Sequence, residues 1–284
     1  MSKLIYLIGK SFAHIFKRPL ALASSFLSIL LLFLMLELVW VTYLTGEKYF
    51  NDLIAQINME VFFNDDLQEK NITDLVTTIN SINGVESLVY LNKDDARDKL
   101  FSLMGTDLLE GMDNNPLPRS AIIGFEPGFV SSKSMNDFTD RIMEMDGIDE
   151  IYYPQQWLES TEYSKSFMIK LEVFLAIVIA LGIILNMLHT VRISIRAYYE
   201  EVRQMQLIGA GRNSLSFPYI FEGLFYGLVS SAAGWGIIYY MARNITFREI
   251  QTVIPNEIGI FIFCGAATLI GMLVSYIAIR RVLE

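Results

Sequence analysis

Residues 21–44 read ALASSFLSILLLFLMLELVWVTYL and contain one charged residue, Glu37. A helix needs about 20 apolar residues to cross a hydrocarbon core of about 30 Å, and this run is long enough. Pro19, just before the run, favours the first turn of a helix. The run is too long for a secretory signal peptide, and Val41–Leu44 has no small-residue cleavage pattern. The sequence therefore predicts a membrane-spanning helix over residues 19–44.

Three further apolar stretches follow, over Val173–Val191, Phe217–Met241 and Ile258–Ile279, and they predict spans at residues 166–191, 217–241 and 258–279. The mean hydropathy of +0.40 is high for a soluble protein. The predicted fold class is an α-helical integral membrane protein with four transmembrane helices plus one extracytoplasmic α+β domain.

The orientation follows from Lys and Arg, because short cytoplasmic loops carry an excess of these residues. Ten of them lie in three segments, residues 1–18, 192–216 and 280–284, so both termini are predicted to be cytoplasmic. In residues 1–18 the lysines repeat every seven positions beside an apolar face, which predicts an amphipathic helix on the inner leaflet. Residues 242–257 are then predicted to form a short extracytoplasmic loop.

The large loop outside, residues 45–165, is strongly acidic. It has 23 acidic and 9 basic residues, a net charge of −14, which argues against nucleic acid and anionic lipid as its partners. One Cys in the chain excludes an internal disulfide, and two His with one Cys are too few for a zinc site. No HExxH, G-x-S-x-G or Walker A pattern occurs, so we expect neither a cofactor nor an enzyme.

Within residues 45–165 a strand–helix–strand pattern occurs twice, with Gly84 and Gly147 in equivalent places after the two helices. Two βαβ halves predict a ferredoxin-like domain. The predicted strands and helices are Met59–Phe63, Leu67–Ile82, Val85–Leu91, Ser120–Glu126, Ser132–Met145 and Ile148–Tyr153.

A lobe at residues 93–115 separates the two halves, and Asn115–Pro118 closes it as a rigid turn. The sequence is compatible with two interpretations of this lobe. In the first, its apolar residues cap the open face of the sheet; in the second, they bind an amphipathic helix of a partner protein. The lobe's large apolar residues are Leu100, Phe101, Leu103, Met104, Leu108, Leu109 and Met112.

Small residues four apart mark the last two apolar stretches, a spacing that lets helices approach closely. For the fourth stretch we favour packing within one chain, whereas for the third a contact between two copies is equally compatible. These residues are Gly223, Gly227 and Ser231, and Ala267, Gly271 and Ser275. Glu37 and Glu222 lie near predicted span ends, so we expect snorkelling or a helix-end hydrogen bond.

Residues 201–211, EVRQMQLIGAG, precede residues 217–223, FPYIFEG, and Asn115–Pro118 reads NPLP. In this order and spacing the motifs resemble those of the FtsX-type permease family. The layout of one span, a domain and three spans resembles that family as well, over essentially the whole chain. Gly211 departs from the pattern, since a small hydroxyl residue is frequent at that place.

The resemblance implies a non-enzymatic transmembrane subunit of a bacterial cell-division complex, in the inner membrane at the septum. Such subunits pair with a cytoplasmic ATPase, FtsE, as a dimer of each. They transmit ATP-driven motion to the outside domain, which activates a peptidoglycan hydrolase directly or through a coiled-coil adaptor. Two alternatives remain: an exporter permease of the related macrolide or lipoprotein type, which carries a larger outside domain, and a sensor-type receptor without an ATPase.

Two sets of site residues follow. The seven apolar residues of the lobe are the candidate contacts for the partner outside. The candidate ATPase-docking residues lie in the only long predicted cytoplasmic loop, and they are Glu201, Arg203, Met205, Leu207, Gly209 and Ala210.

Overall fold

The structure, a computed structural model, describes residues 19–105, 115–207, 212–244 and 252–283. The predicted amphipathic helix at residues 1–18 is outside these ranges. The chain divides into two compact units. One is Glu47–Met168, and the other combines Met1–Gly46 with Ile169–Glu284.

The elements of the two units are as follows. The domain unit contains β1 (Asn58–Phe63), α2 (Glu69–Asn80), β2 (Val85–Leu91), α3 (Lys93–Met104), β3 (Ser120–Phe125), α4 (Ser132–Met143) and β4 (Ile148–Tyr152). The helical unit contains α6 (Tyr199–Leu207), α7 (Arg212–Asn244) and α8 (Glu257–Leu283). Both units share α1 (Pro19–Ile54) and α5 (Gln155–Ala197).

The strands form one sheet in the order β2-β3-β1-β4, and every neighbouring pair is antiparallel. Both predicted strand–helix–strand halves are present, and each half encloses one strand of the other. Gly84 and Gly147 follow the two helices with φ of 98° and 104°, a backbone conformation that favours glycine. The predicted turn positions are therefore confirmed.

One face of the sheet carries the domain's core. Alternate residues of β1 and β3, among them Val61 and Ile123, are fully buried. Helix α4 packs against this face through Met135, Phe138 and Ile142, whose spacing places them on one side of the helix. The unit thus has a hydrophobic core of its own, as an independently folding domain requires.

Arg119 holds the loop after β1 in place through hydrogen bonds. Its guanidinium donates hydrogen bonds to the backbone carbonyls of Asn64 (2.9 Å), Asp65 (2.9 Å) and Leu67 (3.1 Å). Hydrogen bonds from a charged donor are stronger than neutral ones. The side chain therefore ties the start of β3 to the turn that enters α2.

Among the described residues, three helices are long and apolar enough to cross a membrane, over Ala23–Ile54, Gln155–Ala197 and Glu257–Arg280. The predicted third span, residues 217–241, forms most of the 33-residue helix α7. It falls short in apolarity because Gly, Ser and Tyr are frequent in it. The structure therefore gives three candidate spans among its described residues, one fewer than the four predicted, and α7 is a further long helix.

Two helices extend further than their apolar runs. Helix α1 continues past Leu44 to Ile54, and α5 begins at Gln155 rather than at residue 166. Apolarity marks only the lipid-facing part, whereas Gln, Glu and Leu sustain a helix in water as well. Leu158 in this extension is fully buried in the domain core.

Helices α7 and α8 pack closely through their small residues. A Cβ atom added at Gly227 would lie 2.5 Å from the carbonyl oxygen of Ala267, and one added at Gly223 would overlap Ser275. Both small-residue stripes therefore face each other within one chain. This packing contradicts the alternative in which Gly227 lies at an interface between copies.

The two predicted intramembrane acids are both buried. Glu37 is inaccessible to solvent, and neither of its carboxylate oxygens has a hydrogen-bond partner in the described part of the chain. It lies against Gly234, where a Cβ atom would overlap the carboxylate. Snorkelling was therefore the wrong expectation for Glu37. Glu222 accepts a hydrogen bond from the Ser194 hydroxyl (2.8 Å), which links α7 to α5.

Candidate functional site

The lobe begins with a well-capped helix. The Asn92 side chain accepts hydrogen bonds from the backbone N–H groups of Asp94 and Asp95, both at 2.8 Å, and the Asp95 carboxylate accepts one from Asn92 N–H (3.4 Å). This reciprocal capping box fixes where α3 starts. Gly105 ends the helix with φ of 69°, in the left-handed region. Local contacts therefore fix both ends of α3.

Apolar side chains on α3 point away from the core. Phe101 is 51% exposed, Leu103 73% and Met104 61%, and Leu100 is half-buried. Leu108, Leu109 and Met112 are outside the described residues. Burying a large apolar side chain lowers the free energy, because apolar surface leaves water. A group of three exposed apolar side chains therefore favours a contact with another molecule.

The base of the lobe is closed by Asn115. Its side-chain amide donates to the backbone carbonyl of Lys93 (2.5 Å), and its carbonyl oxygen accepts from Leu117 N–H (3.0 Å). Lys93 also pairs with Asp65 at 3.0 Å. The two ends of the lobe, Lys93 and Asn115, are thus held together by a hydrogen bond.

The open face of the sheet offers a second apolar surface. Val89 on β2 pairs with Ile122 on β3, and Ile122 pairs with Glu60 on β1, which in turn pairs with Tyr152 on β4. Val89 and Tyr152 are exposed and Ile122 is half-buried. Partners in register point to the same face of a sheet, so these side chains form one line across it.

Two tyrosines of the domain have raised pKa values. Burial, and then the charge of Glu69, raise the pKa of Tyr90, whose hydroxyl donates to Glu69 (3.3 Å). Burial likewise raises the pKa of Tyr153, which donates to Asn136 (2.6 Å). Both phenols stay protonated at neutral pH, and their hydrogen bonds hold α2 to β2 and α4 to the residue after β4. Among the described residues no group of three or more His, Cys, Asp or Glu is arranged to hold a metal.

The predicted ATPase-docking residues centre on α6. Arg203 is exposed, and Leu207 at the end of the helix is 82% exposed. Glu201 and Met205 lie on the same helix, but their side chains are not among the described ones. Gly209 and Ala210 fall in the gap between the described ranges. An exposed Leu beside an exposed Arg forms a small surface with apolar and cationic character.

Comparisons with known proteins match both halves of the chain. A family model described as the FtsX extracellular domain matches residues 56–162, and one described as the FtsX-like permease C-terminal matches residues 173–284. Together the two matches include the domain and most of helices α5, α7 and α8.

Relatives across bacteria match most of the chain. The cell division protein FtsX of Haemophilus influenzae is 22% identical over 272 residues, which cover 91% of this chain and 88% of that protein. The cell division protein FtsX of Bacillus anthracis is 23% identical over 280 residues and covers 88% of each. A crystal structure of extracellular domain 1 of FtsX from S. pneumoniae, in complex with undecyl-maltoside, covers 34% of this chain and 92% of that one. Its identity is 16% and its TM-score is 0.29.

The sequence motifs and both family matches point to the same family. The FtsX family comprises membrane-embedded cell-division proteins related to the permease components of ABC transporters. This chain belongs to the FtsX family.

Proposed function

We propose that this chain transmits ATP-driven conformational change from a cytoplasmic ATPase of the FtsE type to a peptidoglycan hydrolase, or its coiled-coil adaptor, outside the cell membrane. The observation that carries the proposal is the match of both the extracellular domain and the permease half to the FtsX family. The chain's role in this proposal is mechanical and not enzymatic.

The membrane arrangement in this proposal has four spans with both termini inside. Helix α7 packs along α8, and its 33 residues extend about 50 Å at 1.5 Å per residue, more than a bilayer core requires. The distribution of Lys and Arg supports the orientation. The strand order β2-β3-β1-β4 supports a ferredoxin-like fold for the domain, which this proposal places outside the membrane.

The proposed route of transmission follows α5. This single helix of 43 residues contributes to the domain through Leu158 and to the helical unit through Ile183 and Met187. Its cytoplasmic end leads directly into α6, the proposed docking helix. ATP binding changes the domain only if the ATPase favours one arrangement of these helices over another.

The proposed contact with the partner outside is the lobe. The exposed Phe101, Leu103 and Met104 provide apolar anchors, and the acidic domain provides a complementary field for a basic helix. The assembly in this proposal contains two copies of this chain and two of the ATPase. That stoichiometry rests on the family resemblance.

Replacing Arg203 by Glu is expected to lower co-purification of the ATPase at least tenfold, because a cation at the docking surface becomes an anion. The full chain and its ATPase are co-expressed, and the ATPase retained per copy of the chain is measured after detergent extraction.

Arg243→Glu is the matched control, since it reverses an exposed charge at the opposite end of α7 and should leave the yield unchanged. Equal retention of the ATPase by the Arg203→Glu variant and the wild type refutes α6 as the docking site.

A further inference from the structure

We propose that a groove between α1, α5 and α8 binds a phospholipid with a primary-amine headgroup, with the ammonium group on Glu172 and an acyl chain along the apolar wall. The groove has a volume of about 590 Å³, within the range of roughly 300–1,000 Å³ typical of small-molecule sites. All the residues that line it belong to the helical unit.

The wall of the groove is almost entirely apolar. Representative lining residues are Leu36, Trp40, Tyr43, Val173, Ile262 and Phe263. Val173 is 52% exposed and Ile262 67% exposed, so the groove opens at the surface of the helical unit. In a membrane that surface meets lipid, and an acyl chain is the matching occupant.

Glu172 is the exception in this wall. Its side chain is 9% exposed, and its Oε1 atom is buried without a hydrogen-bond partner among the described residues. A buried carboxylate is costly unless a cation or donor satisfies it. The unpaired oxygen therefore points to a ligand that brings a positive charge into an apolar groove.

The depth of the groove agrees with a headgroup at Glu172. Trp40 and Tyr43 lie near the end of the apolar run of α1, and Glu172 precedes the apolar run of α5. Trp and Tyr favour the membrane–water interface, where lipid headgroups lie. The remaining lining residues of α5 and α8, such as Ala176 and Ala266, lie further along their apolar runs, where they can contact the acyl chain of the lipid.

The charge of Glu172 selects among occupants. A phospholipid with an anionic headgroup would place negative charge beside the carboxylate, whereas a primary amine donates charge-assisted hydrogen bonds to it. A second copy of this chain is a poorer fit, because its apolar stretches 19–44, 217–241 and 258–279 contain no Lys or Arg and its predicted span 166–191 carries only Lys170.

The test uses the full chain in nanodiscs of equimolar phosphatidylethanolamine and phosphatidylglycerol, released into mild detergent for native mass spectrometry. The wild type is expected to retain phosphatidylethanolamine over phosphatidylglycerol by about tenfold, the factor that corresponds to 1.4 kcal/mol. Glu172→Gln should remove this preference, since the neutral amide no longer pairs with an ammonium group.

Two further variants complete the test. Ala266→Trp places a bulky ring in the groove at an exposed position and should lower the retention of both lipids. Glu257→Gln removes an exposed carboxylate near the start of α8, outside the groove, and should keep the tenfold preference.

Equal retention of the two lipids by the wild type overturns the proposal, as does a preference that survives in Glu172→Gln. The proposal is also overturned if the wild type has the mass of a dimer, Ala266→Trp has the mass of a monomer, and lipid retention is unchanged. That result would assign the groove to a second copy of this chain.

Discussion

Replacing Phe101 and Leu103 together by Glu is expected to weaken binding of the extracytoplasmic partner by more than a factor of about one hundred, with the domain still folded. Each apolar anchor at an interface contributes about 2 kcal/mol or more, and every 1.4 kcal/mol is tenfold in affinity. Both side chains are mostly exposed, so charged replacements leave no buried charge in the free domain. Thermal unfolding and partner affinity of the domain, residues 47–168, are measured together.

Met143→Glu is the control for this experiment, because Met143 is a similarly exposed apolar residue on α4, away from the lobe. It should change neither quantity. If the double variant unfolds and loses binding only in proportion, the lobe residues belong to the core, and the capping interpretation is correct. If fold and affinity both persist, the partner binds elsewhere, and the line of Val89, Ile122 and Tyr152 is the next surface to test.

Gly227→Leu is expected to destabilise the helical unit by about 3 kcal/mol, the upper end of typical overpacking costs and about a hundredfold in the folded-to-unfolded ratio. The atom opposite Gly227 is the backbone carbonyl oxygen of Ala267, at 2.5 Å from an added Cβ. A backbone atom has no alternative rotamer, so α7 and α8 must separate to admit a side chain.

Gly236→Leu is the matched control on the same helix, since a Cβ atom there meets nothing within 4 Å. Equilibrium unfolding in mixed micelles, followed by tryptophan fluorescence, gives the stability of both variants. Equal stability of Gly227→Leu and Gly236→Leu contradicts the close packing of α7 on α8.

The domain could be predicted well from sequence because its signals are local. Alternating burial in β1 and β3, apolar spacing in α4 and the glycines after two helices each specify one element. The start of α3 is likewise fixed by local contacts, the capping box of Asn92 and Asp95. Predicted boundaries differ from the observed ones by a few residues, as frayed helix ends lead one to expect.

Features that depend on contacts between residues far apart in the sequence were not predicted. Arg119 meets carbonyl groups more than 50 positions earlier, and nothing beside it in sequence indicates this. Glu37 was predicted to snorkel from a position near a helix end. Helix α1 instead continues to Ile54, and the Glu37 carboxylate packs against Gly234. In the proposed sites, sequence identified the exposed Phe101, Leu103 and Leu207, whereas the groove at Glu172 needs three helices brought together.

The most direct test of transmission across the membrane is hydrogen–deuterium exchange of α3, Lys93–Met104, in the complete complex with its ATPase. The complex is compared without nucleotide and with ATP bound to a hydrolysis-deficient ATPase. Transmission predicts that the exchange rate of α3 amides changes by at least about tenfold between the two states, a shift of 1.4 kcal/mol in local opening. The core helix α4 serves as the internal reference and should stay constant. Identical exchange of α3 in both states would contradict the proposal that this chain carries the signal to its outside domain.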